Sequence, residues 1–291
     1  MDAAPPDSDL AQDAQRHSMQ RLVGPHGLTA LLMLADCREA MPTLPDGVAG
    51  MVLCDLPYGT TNCRWDSPLP LDLLWREYGR LCNGAVALFA QLPFDKVLGC
   101  SNLKQLRYEW IWHKTHPTGH LNAKRNPMKA HENVLIFSAA AAPYYPIHTH
   151  GHKRKTATKR GDKTPVYGEQ RFEAVSYDST SRYPRDVLTF PSDKQRSKLH
   201  PTQKPLALCE YLIQTHSSPG QTVLDNCMGS GTSGVAAIRN GRSFIGIESD
   251  PKHFQTALDR IRSEVESASA MRPNVKNQAR EPSGLNATKT P

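Results

Sequence analysis

The sequence predicts an α/β fold: a doubly wound, mostly parallel sheet with helices on both faces, in a chain of 291 residues. Short apolar runs alternate with segments of helical spacing over most of the chain, which is typical of a parallel sheet. Two of these runs, ending at Asp55 and Asp225, lead directly into loops. Buried strands that reach the carboxyl edge of such a sheet have this pattern.

The individual elements follow from the same alternation. Strands are predicted at 48–54, 85–90, 108–113, 134–137, 222–224 and 244–248. Helices are predicted at 69–81, 206–215, 233–240 and 251–266, the second with Pro205 near its first turn. Residues 21–137 and 200–267 are expected to form two halves of one domain, separated by a polar insertion at 138–199. Residues 1–20 and 268–291 are expected to be disordered tails, because they are polar and lack apolar periodicity.

Charge is concentrated in one part of the chain. The net charge is +7, yet residues 114–163 alone carry ten Lys and Arg against two acids. This segment indicates either a polyanionic partner or an ordinary solvated surface. No apolar run is long enough for a membrane span, the N-terminus does not have the pattern of a signal peptide, and the seven scattered cysteines suggest neither disulfides nor a metal site. A cytoplasmic protein is expected.

A glycine loop follows the strand that ends at Asp225. Gly229, Gly231 and Gly234 stand between this strand and the next predicted helix, so backbone N–H groups and a helix N-terminus would face the sheet edge. Glu248 ends the following strand, where its carboxylate could accept both ribose hydroxyls of a nucleoside. The pattern indicates an adenosine-containing cofactor and leaves NAD and S-adenosylmethionine both open.

The segment Asp55-Leu56-Pro57-Tyr58 follows the other strand. An aspartate carboxylate and the carbonyl of Pro57 could accept the two hydrogens of an exocyclic amino group and direct its lone pair at an electrophile. Tyr58 could stack on a base rotated out of a duplex. By themselves, these residues are more typical of an ordinary strand-end turn.

The motifs together resemble the beta-class amino-group DNA methyltransferases, the N6-adenine and N4-cytosine family, in the permuted order that places the catalytic motif before the cofactor motif. The resemblance runs from about residue 31 to residue 261. One position departs from it, since the family usually has proline where this chain has Leu56. The matching residues are Ala35-Asp36-Cys37, Asp55 to Tyr58, Glu109 to Trp112, His131 to Asn133, His200 to Pro205, Asp225 to Thr232, and Gly246 to Glu248.

The resemblance implies S-adenosylmethionine as cofactor, a Rossmann-like fold and a role for each motif. Asp55 and the Pro57 carbonyl would hold the target amino group, and Tyr58 would stack on the base. Trp112 and His131 would line the base pocket, although Trp112 fits core packing as well. The residues implied in cofactor binding are Asp36 for the adenine, Lys204 and Pro205 near the methionine carboxylate, Asp225, Gly229, Ser230, Gly231 and Thr232 for the methionine part, and Glu248 for the ribose. Asp36 also fits a helix N-cap.

The resemblance further implies double-stranded DNA as partner, a homodimer and, in some members, a cognate restriction endonuclease. The insertion at 138–199 would recognise the target sequence. Its basic residues are expected to contact phosphates: Lys153, Arg154, Lys155, Lys159 and Arg160. Aspartate at position 55 favours adenine N6 over cytosine N4. An NAD-linked oxidoreductase and a DNA-binding protein without turnover stay open as alternatives.

Overall fold

The structure is a computed structural model that describes residues 18–59, 67–159, 163–164, 168–169, 175–192 and 203–270. Its strands are β1 (Ser18–Val23), β2 (Thr29–Leu34), β3 (Ala49–Asp55), β4 (Cys82–Ala90), β5 (Leu106–Thr118), β6 (Lys129–Phe137), β7 (Lys155–Lys159), β8 (Lys163–Thr164), β9 (Gly168–Glu169), β10 (Val175–Ser179), β11 (Val187–Phe190), β12 (Thr222–Asp225) and β13 (Ser243–Glu248). Its α-helices are α1 (Cys37–Ala40), α2 (Leu71–Leu81), α3 (Phe94–Ser101), α4 (Leu206–His216), α5 (Thr232–Arg239) and α6 (Pro251–Ala270).

In the described chain, nine strands form one sheet in the order β1-β2-β13-β12-β3-β4-β6-β5-β11. The strands β1 and β6 run antiparallel to their neighbours, and the remaining pairs are parallel. The mostly parallel, doubly wound sheet predicted from the alternation of strands and helices is therefore confirmed. Two further pairs, β7 with β10 and β8 with β9, lie outside it.

Helices cover both faces of the sheet with two apolar cores. On one face, α4, α5 and α6 pack against the sheet through Leu212, Val235 and Ile261. On the other face, α2 presents Leu74, Tyr78 and Leu81, which recur at helical spacing and are almost completely buried. The loops that follow the parallel strands at their carboxyl ends can form a site there.

Regular secondary structure extends a few residues into both segments that were expected to be disordered tails, 1–20 and 268–291. A strand begins at Ser18, and α6 continues to Ala270. The strand β1 is mostly exposed and polar, so its sequence has no apolar pattern; it forms because it pairs with β2 at the edge of the sheet. Periodicity also missed β2, which alternates buried and half-buried residues between β1 and β13.

The polar insertion contributes one strand to the main sheet. Although residues 138–199 are predominantly polar, β11 pairs in parallel with β5 and buries Leu188. The indole N–H of Trp112 donates to the Phe190 carbonyl at 3.0 Å, which fixes this strand against its neighbour. Among the described residues, no helix combines the length and the apolar run that crossing a membrane requires.

Candidate active site

Two adjacent strands carry the loops that the sequence singled out. The strands β3 and β12 pair in parallel, with Met51 opposite Val223, and they end at Asp55 and Asp225. Because parallel neighbours end at one edge, the two loops open side by side. A cavity of about 640 Å³ lies at this edge, lined by Asp36, Asp55, Leu56, Pro57, Tyr58, Trp112, Lys114, Glu132, Gln203, Lys204, Asp225, Gly229, Ser230, Thr232, Glu248 and others.

The glycine loop is shaped by its packing against α6 and by its turns. Gly229 and Gly231 have φ angles of 51° and 76°, in the left-handed region that favours glycine. A Cβ on Gly231 would lie 2.9 Å from the Cβ of Ala257, so this position also lacks space for a side chain. A Cβ on Gly229 would have no neighbour within 4 Å. Gly231 is thus required by helix packing, and Gly229 by its backbone conformation alone.

The carboxylates of Glu248 and Asp225 hold the glycine loop through hydrogen bonds. One oxygen of Glu248 accepts from the Gly229 N–H at 2.9 Å, and the other accepts from the Asp250 N–H at 2.8 Å. Each oxygen keeps a lone pair for a further donor, and burial raises the pKa of this carboxyl. Asp225 accepts from the Cys227 N–H and from the Ser233 hydroxyl, and burial raises its pKa to about 6.

Arg260, which the sequence did not single out, holds the same loop from α6. Its guanidinium donates to the Ser230 carbonyl, to the Ser230 hydroxyl at 3.0 Å and to the Thr232 hydroxyl at 3.2 Å. Since both hydroxyl oxygens accept from Arg260, their own O–H groups are left to donate. The cradle therefore has hydroxyl donors beside the glycine turn and a fixed carboxylate acceptor, a set that fits an adenosine nucleoside carrying a carboxylate.

Asp36 lies at the N-terminus of α1. Its side chain accepts from the Arg38 N–H at 2.8 Å as the N-cap and forms an ion pair with the Arg38 guanidinium at 2.6 Å. The hydrogen bond from Arg38 outweighs partial burial and lowers the pKa of Asp36. Asp36 also lines the cavity. The N-cap expected from sequence is present, and contact with a cofactor adenine stays a prediction.

In the segment Asp55 to Tyr58, one oxygen of Asp55 is already occupied by hydrogen-bond donors. Its Oδ1 accepts from the Tyr58 hydroxyl at 2.7 Å and from the Lys204 ammonium at 2.9 Å. The Tyr58 ring stacks on Phe94, with centroids 5.2 Å apart and planes at 24°. Burial raises the pKa of Asp55 even though Lys204 counteracts it. The carboxylate is held in one orientation, with Oδ2 as the oxygen not engaged by these two donors.

Leu56, the departure from the family pattern, points into the core. It is 3% exposed and packs in the apolar cluster between the sheet and α2. A branched apolar side chain is thus held by packing at this position, which restrains the loop where proline would restrain it through its ring.

A chain of alternating charges extends from Asp55 into the wall of the cavity. Lys204 pairs with Glu132 at 2.8 Å, and Glu132 pairs in turn with Lys114 at 2.6 Å. All three side chains are nearly buried. Burial alone would raise the pKa of Glu132, but Lys204 and Lys114 outweigh it and lower that pKa to about 2. Burial opposes the charge of Lys204, yet the two carboxylates raise its pKa well above the usual value.

This chain of charges differs from the role that the resemblance implied for Lys204. We expected the ammonium near a methionine carboxylate, whereas its ion pairs in the structure are to Asp55 and Glu132. Sequence reasoning gave no role to Glu132 or Lys114, although Glu132 stands inside one of the matching motifs. Pro205 precedes α4 as its N-cap residue. His200, Pro201 and Thr202 lie outside the described residues.

The remaining predicted site residues are dispersed. Trp112 is 3% exposed and both lines the cavity and packs in the core, whereas His131 is exposed on β6 and does not line the cavity. Lys153 and Lys155 are exposed. Arg154 is also exposed and forms two hydrogen bonds with Asp178, so its charge is partly neutralised. The side chain of Lys159 and all of Arg160 lie outside the described residues.

Comparisons with known proteins agree with this geometry. Residues 94–259 match a family model described as DNA methylase, of the N6/N4 methyltransferases. The chain is 29% identical over 243 residues to the DNA adenine methyltransferase YhdJ of Escherichia coli K12, covering 78% of this chain and 80% of that protein. It is 23% identical over 263 residues to the Type II methyltransferase M.HinfI of Haemophilus influenzae, covering 79% and 68% respectively.

Solved structures show the same fold. The M1.HpyAVI–SAM complex superposes with a TM-score of 0.53 at 25% identity and covers 78% of this chain and 96% of that one. The PvuII cytosine-N4-specific DNA methyltransferase superposes with a TM-score of 0.55 at 15% identity, covering 82% and 90%. The chain belongs to the N6-adenine/N4-cytosine DNA methylase family and is an S-adenosylmethionine-dependent DNA methyltransferase with a Rossmann-like fold.

Proposed function

We propose that the chain methylates N6 of adenine in duplex DNA, with Asp55 and the Pro57 carbonyl as acceptors for the target amino group. The observation that carries the proposal is the position of Asp55, which lines one cavity together with the glycine loop and Glu248. Adenine is favoured over cytosine by the aspartate at position 55 and by the similarity to a DNA adenine methyltransferase.

The orientation of Asp55 suits this chemistry. Tyr58 and Lys204 occupy Oδ1, so Oδ2 is the oxygen offered to an incoming N–H group. With the Pro57 carbonyl as second acceptor, the amino nitrogen is drawn towards tetrahedral geometry and its lone pair is released from the ring. As the nitrogen–carbon bond forms and the carbon–sulfur bond breaks, one N–H proton leaves. Asp55, whose pKa burial raises, is placed to receive it.

Tyr58 is assigned to the flipped base. Phe94 supports one face of its ring, and we assign the target base to the other face. Trp112 is assigned to the wall of the base pocket, because it lines the cavity beside Lys114.

The cofactor supplies a methyl group on a positively charged sulfur. We assign Glu248 to the ribose hydroxyls, because its two oxygens are fixed by backbone N–H groups and each retains a lone pair. Ser230 and Thr232, with Gly229 and Gly231, are assigned to the methionine part. Asp36 is assigned to the adenine.

For DNA, we assign target recognition to residues 138–199 and phosphate contacts to Lys153 and Lys155, which are exposed. A homodimer is proposed from the family resemblance, and size-exclusion chromatography with light scattering tests it. A partner restriction endonuclease is proposed from the similarity to a Type II methyltransferase. Co-purification with the product of a neighbouring gene tests that assignment.

The deciding experiment incubates the full chain with labelled S-adenosylmethionine and unmethylated DNA and then analyses the nucleosides. Label in N6-methyl-2′-deoxyadenosine supports the proposal, and label in N4-methyl-2′-deoxycytidine overturns the base assignment. Sequencing the modified DNA maps the target site. The variant Asp55→Ala should lose transfer by at least about 100-fold and still bind cofactor; retained transfer would contradict the role of Asp55.

A further inference from the structure

The strands β5 and β6 continue past the sheet as a hairpin, residues 115–131, here called the protruding hairpin. The neighbouring strands stop short of it, since β11 pairs with β5 only as far as Lys114 and β4 pairs with β6 only as far as Asn133. Every residue from 115 to 129 is exposed. The hairpin therefore adds nothing to either core, and packing does not explain why it extends so far.

The protruding hairpin lies next to the cavity that Asp55 lines. The strand β5 has the same direction as β3 and β4, so the hairpin leaves the sheet at the edge where Asp55 lies. His116 and Thr118 line the same cavity as Asp55. The Lys129 ammonium donates to the Gln91 side chain at 3.0 Å, which fixes the base of the hairpin against the cavity wall. The protruding hairpin thus stands at the mouth of the site.

The charged side chains of the protruding hairpin are all positive. Between Glu109 and Glu132 the chain contains no acid, and Lys124, Arg125 and Lys129 are exposed there. Within the described part of the chain, no ion pair engages Lys124 or Arg125. A positive surface of this kind, at the mouth of a site that acts on DNA, fits the phosphates flanking the target base.

One large apolar side chain stands at the tip of this basic surface. Leu121 is 87% exposed, the most exposed large hydrophobic side chain in the described residues. It lies in a short 3-10 helix directly after Gly119, whose φ of 91° turns the chain. Proteins that distort DNA insert such apolar wedges between bases, where the side chain replaces lost stacking.

We propose that the protruding hairpin enters the duplex beside the target base and that Leu121 fills the gap in the base stack when that base rotates into the cavity. Lys124 and Arg125 would hold the adjacent phosphates. The proposal rests on membership of the DNA methyltransferase family and applies equally to an adenine or a cytosine target.

The test compares two duplexes that carry the mapped target site. One is fully paired, and the other has an abasic position opposite the target base, so that rotating the base costs less. Single-turnover methyl transfer is followed by total label in DNA. Leu121→Ala should slow transfer on the paired duplex by about tenfold and regain nearly wild-type rates on the abasic duplex.

Leu103→Ala is the matched control, because Leu103 is 65% exposed and precedes β5 at the end opposite the hairpin. It should leave both rates unchanged. Equal rates for Leu121→Ala and wild type on the paired duplex would overturn the proposal, as would equal slowing on both duplexes. Because the target base is taken from the mapped site and label is counted in either base, a wrong adenine assignment does not affect the result.

A second measurement concerns the phosphates. The double variant Lys124→Ala/Arg125→Ala should bind duplex DNA more weakly, and the slope of log K against log salt should become shallower by about 1.8, the value for two lost phosphate contacts. An unchanged slope would show that Lys124 and Arg125 do not contact the DNA phosphates, and it would contradict the place of the hairpin in the DNA interface. The thermal unfolding midpoint of each variant should match wild type, because the altered side chains are exposed.

Discussion

The Lys204 ammonium lies 2.9 Å from Oδ1 of Asp55 and 2.8 Å from Oε2 of Glu132, so a single buried cation joins the loop after β3 to β6. The Tyr58 hydroxyl donates to the same Oδ1 at 2.7 Å. The orientation and ionisation of Asp55 therefore depend on residues that come from three separate parts of the chain.

Removing the Lys204 charge should shift the pH dependence of methyl transfer. Burial raises the pKa of Asp55, and Lys204 opposes this rise. Without the cation the pKa rises further, so the ionised carboxylate is lost at higher pH as the solution is acidified. In Lys204→Met, the acidic limb of the rate–pH profile should move to higher pH, measured in single-turnover assays. A limb at the wild-type position would contradict the role of Lys204.

Replacing Glu132 should destabilise the protein. Glu132→Gln leaves two nearly buried lysines with one carboxylate fewer, and we expect a loss of about 3 kcal/mol in the free energy of unfolding at pH 7. Urea unfolding measures it. The control Glu210→Gln breaks a partly exposed pair with Arg239 at 4.0 Å and should cost under about 1 kcal/mol. Similar losses for both variants would argue against the buried network.

The lowered pKa of Glu132 predicts that the stability of the protein depends on pH. The folded pKa of Glu132, about 2, lies below its ordinary value of 4.5. Its contribution is therefore present above pH 4.5 and is lost as pH falls from there towards 2. The difference in stability between wild type and Glu132→Gln should shrink over that window, and a constant difference would be inconsistent with the lowered pKa.

Tyr58→Phe should separate the hydroxyl from the ring. The variant removes the hydrogen bond to Asp55 and keeps the stacking on Phe94. We expect kcat to fall by about tenfold, with little change in DNA affinity, because the variant keeps the ring that we assign to the base. Tyr58→Ala should reduce both kcat and the affinity for DNA. If Tyr58→Phe retains the full kcat, the hydroxyl has no part in orienting Asp55.

Glu248→Gln should weaken cofactor binding. The amide keeps one oxygen acceptor but presents N–H groups where the Gly229 or Asp250 N–H now donates. Calorimetric titration should show an S-adenosylmethionine affinity reduced by about 10- to 100-fold. Asp259→Asn on α6, an exposed carboxylate outside the cavity lining, is the control and should bind normally. Equal affinities for the two variants would exclude Glu248 from the ribose site.

The sequence by itself determined the mostly parallel centre of the sheet, the ends of β3 and β12, and the neighbouring positions of Asp55 and the glycine loop. These features are local: apolar runs and glycine turns have the same periodicity whatever surrounds them, and parallel strands bring their carboxyl ends to one edge. The family followed from the same motifs, because their residue types are dictated by the chemistry at that edge.

Only the tertiary structure decided which charges meet. Lys204 and Glu132 are 72 residues apart, and their ion pair exists because strand order places β6 beside β4 and opposite the start of α4. The tertiary structure also decided three other features: the burial of Leu56, the pairing of Arg154 with Asp178, and the edge strand β1. Each depends on contacts between distant segments, and no local pattern in the sequence encodes such contacts.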